Sequence, residues 1–167
     1  MNSKLRMPPF IPVNHLSKAL SKRILSLRDP TSKMSKSSPD IASRILFTDT
    51  ASQIKSKIRS AVTDSIQGIT YDPVSRPGTS NLLTILAACT ESDVLDVAGV
   101  YESKGHGQLK NDVADAVEEM LKQPRAEFEK IRDDKSYLDD VARRGASKAM
   151  EHSSATIQEV KIRLGLA

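Results

Sequence analysis

Apolar residues recur at helical spacing along most of this chain, and prolines, glycines and hydroxyl residues cut the pattern into short segments. Leu16, Leu20, Ile24 and Leu27 follow one another at steps of four, four and three, which predicts a short helix over 14–27. Pro8, Pro9 and Pro12 argue against a helix before it. Residues 41–47 read as a short strand, ended by Thr48-Asp49-Thr50. Thr50 or Asp49 then caps a helix whose inner face is Ile54, Ile58, Ala61 and Val62. A break runs from Gly68 to Ser80, with a turn at Pro77-Gly78 and a cap for the next helix at Thr79 or Ser80. Residues 81–89 are almost continuously apolar and predict a helix buried on most sides. Glu91 to Tyr101 gives another helix, with Val94, Leu95, Ala98 and Tyr101 inward. After Gly105-His106-Gly107, the run Leu109, Val113, Ala116, Val117, Met120, Leu121 has the cleanest helical period. Pro124 restarts the chain in a short helix holding Phe128 and Ile131. A long helical pattern closes the sequence, from Leu138 through Val141, Ala142, Ala146, Ala149, Met150, Ile157 and Val160 to Leu164, capped by Asp134 or by Ser136 with Asp139 in box position. The expected fold is mainly α, a helical bundle with at most one short strand and no internal repeat.

Composition narrows the class. The chain has 167 residues, 38% hydrophobic and 28% charged, so it is long enough for a real core and is globular. A net charge of +4 permits a nucleic-acid partner without requiring one. Aromatic residues make up 4% with no tryptophan, which leaves few rings for stacking on bases. The single cysteine, Cys89, lies in an apolar run and has no internal disulfide partner; it reads as a structural thiol in a reducing compartment. No apolar run reaches membrane-spanning length. No acid precedes Asp29, and this basic start has two readings: an organelle transit segment, or a lead-in to the folded enzyme. His15, His106 and His152 stand apart in the sequence and receive no role.

The chemistry concentrates in one loop, Asp29 to Asp40, which contains Lys33-Met34-Ser35-Lys36-Ser37 between two prolines. Two ammonium groups among hydroxyls suit a ligand with exposed phosphate oxygens, because a lysine head is a compact charge on a stem that can follow a moving phosphate. This pentapeptide resembles the KMSKS signature of class I aminoacyl-tRNA synthetases. The later order of features is similar to the tryptophanyl branch: Ser43-Arg44-Ile45-Leu46-Phe47-Thr48-Asp49, then Tyr71-Asp72-Pro73, then Arg76-Pro77-Gly78-Thr79-Ser80-Asn81-Leu82, then Gly105-His106-Gly107-Gln108-Leu109-Lys110, and finally Gly145-Ala146-Ser147-Lys148-Ala149. The likeness covers roughly residues 24–164. Tyrosyl-tRNA synthetase shares the loop, and the Arg76-Pro77-Gly78-x-Ser80-Asn81 stretch speaks for the tryptophan branch.

The resemblance implies a tryptophan–tRNA ligase with ATP (and magnesium as its counter-ion), tryptophan and tRNA(Trp) as partners, and a homodimeric full-length form. Lys36 and Lys33 would be the catalytic cations, Lys33, Met34, Ser35, Lys36 and Ser37 the ATP-binding set, with Met34 pinning the loop to apolar protein and no metal ligands. Arg144 and Lys148, four apart on the last helix, are candidate tRNA contacts. The implied organisation is a basic segment at 1–28, the ATP loop and its return strand at 29–50, and an anticodon-binding type of helical domain at 51–167. A mitochondrial location is expected from the start and the organelle and bacterial style, a cytoplasmic one otherwise. Ser38 stands where an acid commonly follows the signature. The α/β nucleotide-binding half of the family, with its tryptophan pocket, is missing before the loop, so the expectation is a C-terminal portion inactive alone. The competing readings are a tRNA-binding helical module without chemistry and an interaction protein that shares the loop by accident.

Overall fold

The computed structural model describes residues 23–166. They form two compact units, one up to Leu121 and one from Lys122.

The first unit starts with extended backbone. Leu25 pairs with Lys33 in an isolated antiparallel bridge. Residues 23–27 are therefore not helical, and residues 14–22 of the expected helix lie outside the described residues. Ile41–Ser43 is a single 3-10 turn and not the start of a strand; among the described residues there is no named strand. Asp40 explains the difference, since its carboxylate accepts from the Ala42 N–H at 2.8 Å and winds the chain where apolar spacing alone reads as extended. Ile41 itself is 68% exposed.

Helix α1 spans Ala51–Arg59. Thr50 caps it, accepting from Gln53 N–H at 3.3 Å while the Gln53 amide oxygen accepts from Thr50 N–H at 2.8 Å. Asp49 instead closes the preceding turn onto Leu46 N–H at 2.7 Å and pairs with Lys57 at 2.5 Å. Ile54, Ile58 and Ala61 are buried, whereas Val62 lies past the helix end and is exposed. Two cations bind the carbonyls that the end of α1 leaves over: Arg28 Nη1 reaches Ser60 O at 2.7 Å and Lys110 Nζ reaches Ala61 O at 2.8 Å.

Helix α2 spans Pro77–Cys89 and is buried along most of its length. It begins ahead of the expected cap. Pro77 occupies its first position, and Thr79 and Ser80, expected as caps, sit inside it and face the core. Gly78 is required there, because a Cβ would stand 2.2 Å from the Val62 carbonyl oxygen. Helix α3, Val94–Tyr101, is capped by Asp93 through Leu95 N–H at 2.8 Å. Val97, Ala98 and Tyr101 point inward, but Leu95 stands on the outer flank, 65% exposed. Gly68, at φ +75°, passes so close to the Glu102 carbonyl that a side chain there would collide at 2.9 Å.

Helix α4 spans His106–Arg132. Leu109, Val113, Ala114 and Val117 are buried, and Met120 is exposed. Leu27, Ile54, Ile58, Ile69, Leu82, Leu83, Leu109 and Val113 form the heart of this unit's core. Pro124 does not restart the chain as expected but lies within α4. Its missing N–H frees the carbonyl four residues back, on exposed Met120, where solvent can bond it.

The unit from Lys122 comprises the end of α4 and helix α5, Lys135–Arg163. Asp134 caps α5 through Tyr137 N–H at 2.9 Å; Ser136, the alternative cap, lies in the first turn and donates to the same carboxylate at 2.7 Å. No residue of α5 is buried. Its periodic apolar positions, among them Val141 at 43% and Met150 at 66% exposure, face solvent rather than a core. No helix among the described residues is long and apolar enough to cross a membrane.

Candidate functional site

The signature loop grows from the short antiparallel stem. Ser26 N–H donates to Ser32 O at 2.9 Å and Met34 N–H donates to Ile24 O at 3.0 Å, which sets Lys33 opposite Leu25. Asp29 shapes the reversal between the two arms, accepting from Thr31 Oγ1 at 2.6 Å and from Thr31 N–H at 3.1 Å. Those bonds, with a further one from Ser32, hold its carboxyl below the usual range. Leu27 anchors the stem to the body: its N–H donates to Ser43 O at 2.9 Å and its carbonyl accepts from Val62 N–H at 2.7 Å.

Beyond the stem, Ser35 to Ser38 form a turn closed by Ser38 N–H on Ser35 O at 3.3 Å, with the Ser35 and Ser37 hydroxyls 3.1 Å apart. Lys36 lies in this turn and is exposed, as is Lys33. Met34 is half-buried and packs against the core. The structure therefore brings Lys33, Met34, Ser35, Lys36 and Ser37 together on one loop seated by its methionine. Arg44, which sequence reasoning left without a role, secures the loop's exit. Its Nη1 donates to Ser38 O at 2.6 Å and Asp40 O at 3.3 Å, and its buried Nε has no partner among the described residues.

A cleft of about 370 Å³ opens beside the loop, lined by Arg23, Ile24, Lys33, Met34, Ser35, Lys36, Arg44 and Ile45. Four of those residues are cationic and none carries a carboxylate. Such a lining favours an anion. A second cleft, about 390 Å³, lies between the loop 65–68 and the start of α4, and mixes Glu102 with Lys104 and His106. Its charges offset one another, so the cleft beside the signature loop is the more cationic of the two.

A buried polar cluster stands at the foot of α2. Arg76 donates to Asp64 through Nε at 3.0 Å and Nη2 at 2.7 Å, and to Thr70 and the carbonyls of Ile66 and Gly68. Thr79 donates to Asp64 at 2.6 Å, and His106 Nε2 lies 3.1 Å from the Thr79 hydroxyl. The Arg76 guanidinium, foremost, holds the Asp64 carboxyl far below the usual carboxylate range. Burial, foremost, lowers His106 below its ordinary value. This cluster fixes the 64–70 loop, and its opposite charges pair with each other; its sequence signals, an acid and an arginine twelve residues apart, follow no period. Arg144 and Lys148 lie on α5 in the unit beyond Leu121, both exposed, with Arg144 Nε paired to Asp140 at 2.9 Å. Among the described residues no group of three or more His, Cys, Asp or Glu side chains could hold a metal ion.

A helical body that presents a cationic, hydroxyl-bearing loop to a cleft lined without carboxylates is electrostatically suited to an anionic ligand. Residues 3–122 match the family model described as tRNA synthetases class I (W and Y), and the chain belongs to that family. It is 38% identical over 157 residues to tryptophan–tRNA ligase 1 of Streptomyces coelicolor, covering 94% of this chain and 46% of the relative. It is 37% identical over 160 residues to the mitochondrial tryptophan–tRNA ligase of Saccharomyces cerevisiae, covering 95% of this chain and 42% of that protein. Among solved structures it is similar to tryptophanyl-tRNA synthetase from Mycoplasma pneumoniae, with a TM-score of 0.74 and 27% identity over 87% of this chain and 44% of the other. The chain thus spans less than half the length of the relatives it matches.

Proposed function

We propose that this chain carries the ATP-phosphate loop and the adjoining helical portion of a tryptophan–tRNA ligase, acting on ATP, tryptophan and tRNA. The observation that carries this reading is Lys33-Met34-Ser35-Lys36-Ser37 on a stem-held turn, beside a cleft lined by four cations and no acid. Lys33 and Lys36 stabilise the negative charge that builds on the diphosphate as the tryptophan carboxylate displaces it from the α-phosphorus of ATP. Preorganised charge is worth most where charge develops, and removing one such donor typically costs about 10²–10³ in rate. Exposure limits what the loop does when open. A unit-charge pair 4 Å apart gains about 1 kcal/mol in bulk water but about 4 kcal/mol at the effective dielectric of a partly covered surface, so the lysines act when the site covers them. Magnesium accompanies the phosphates as their counter-ion in this reading.

The tryptophan pocket and the remaining nucleotide contacts belong to the length of the relatives that this chain does not match, and activity requires both. Arg144 and Lys148 on α5 contribute phosphate contacts to tRNA in this reading. The acid-free basic start and the similarity to a mitochondrial yeast ligase support a mitochondrial location.

Replacing the corresponding loop of the Streptomyces ligase by residues 29–40 of this chain tests the assignment. The graft is expected to retain tryptophan-dependent ATP–pyrophosphate exchange and to lose it about 100-fold on further Lys36→Ala substitution. A folded graft without turnover would overturn the reading.

A further inference from the structure

The loop's stem is held by a side chain far from it in sequence. In an antiparallel pair, facing residues alternate between those that exchange backbone hydrogen bonds and those that do not. Leu25 and Lys33 are of the second sort: the bonds on either side run from Ser26 to Ser32 and from Met34 to Ile24. The Leu25 N–H and carbonyl therefore point away from Lys33, out of the pair. Both end on Asn81 of α2. Leu25 N–H donates to Asn81 Oδ1 at 2.9 Å, and Asn81 Nδ2 donates to Leu25 O at 3.0 Å. Asn81 is 5% exposed and sits between Ser80 and Leu82, both buried.

A side-chain carboxamide has the donor and acceptor of a peptide group in one plane, so it replaces a third strand of one residue. Aspartate lacks the donor, serine lacks the span, and glutamine is one methylene too long. A two-stranded pair in water is marginal without such support. Facing residues of this kind lie about 4.5 Å apart at Cα, so what holds Leu25 in place holds Lys33 also.

We propose that Asn81 is a positioning residue for the ligase reaction: it keys the stem of the signature loop to the helical body and thereby sets where Lys33 and Lys36 meet phosphate. This rests on the reading of the loop given above.

The test compares the full chain with Asn81→Ala, which removes both bonds, and Asn81→Asp, which keeps the shape and loses the donor. Hydrogen exchange at Ser26 and Met34 reads the stem, exchange at Leu82–Leu86 and helicity read the body, and titration with inorganic pyrophosphate reads the loop. The expected result is exchange at least tenfold faster at Ser26 and Met34, an unchanged body, and several-fold weaker pyrophosphate binding. Unchanged stem exchange would overturn the proposal. So would a loosened stem with unaltered pyrophosphate affinity, or equal acceleration throughout α2 in both variants, which marks Asn81 as merely structural. Lys33→Ala with Lys36→Ala separates the two readings: if that variant binds pyrophosphate as wild type does, the phosphate role falls, while stem exchange still decides the place of Asn81.

Discussion

Arg76 is 4% exposed, and a guanidinium at that depth is tolerable only beside its carboxylate, which Asp64 supplies through two hydrogen bonds. Asp64→Asn leaves that cation without a counter-charge and is expected to destabilise the fold by about 3 kcal/mol at neutral pH. Asp64 is held below its ordinary value, first by its hydrogen bond with Arg76, so its contribution is fully present above the pH of about 4 where an unfolded aspartate ionises, and is lost as pH falls through the depressed folded value. Urea titrations of both proteins should therefore differ most near pH 7 and converge steadily below about pH 4. A constant difference across that range would show that Asp64 does not couple folding to protons. Every residue of Arg76-Pro77-Gly78-Thr79-Ser80-Asn81 makes a separate contribution. Arg76 forms the ion pair, Pro77 starts the helix and Gly78 permits the close approach to Val62. Thr79 bonds Asp64, Ser80 accepts from Asp72 N–H at 2.9 Å, and Asn81 holds Leu25. The sequence identified this stretch through family order, but its partners lie up to 56 residues away and no local pattern reveals them.

Helices were legible where the apolar period was long and one face was buried, as in α1, α2 and the first turns of α4. Periodicity reports a face and says nothing of what covers it, which is why α5 was readable as a helix and not as an exposed one. The expected strand at 41–47 failed on a short-range hydrogen bond that Ala42 N–H donates to Asp40, and the expected restart at Pro124 failed because the exposed turn around it lets water replace the lost partner. Pro124 still carries the cost of an interior proline, about 3 kcal/mol relative to alanine in an exposed helix. Pro124→Ala should raise helicity and stability by circular dichroism, by up to that amount. No gain would mean that the helix does not continue through residue 124.

The loop itself is legible from five residues, and the chemistry proposed for it rests on them; Arg44 and Asn81, which hold it, became visible only in three dimensions. Because the chain spans 42 to 46% of its ligase relatives, its 167 residues by themselves are expected to give no tryptophan-dependent ATP–pyrophosphate exchange. Exchange that is robust in wild type and disappears in Lys36→Ala would contradict this. The most direct measurement is calorimetric titration of inorganic pyrophosphate into the wild-type chain, Lys33→Ala and Lys36→Ala over a series of salt concentrations. Each substitution should weaken binding about fivefold or more at low salt, and the differences should shrink as salt screens the exposed lysines. Binding that is the same in all three proteins would contradict a phosphate role for the loop.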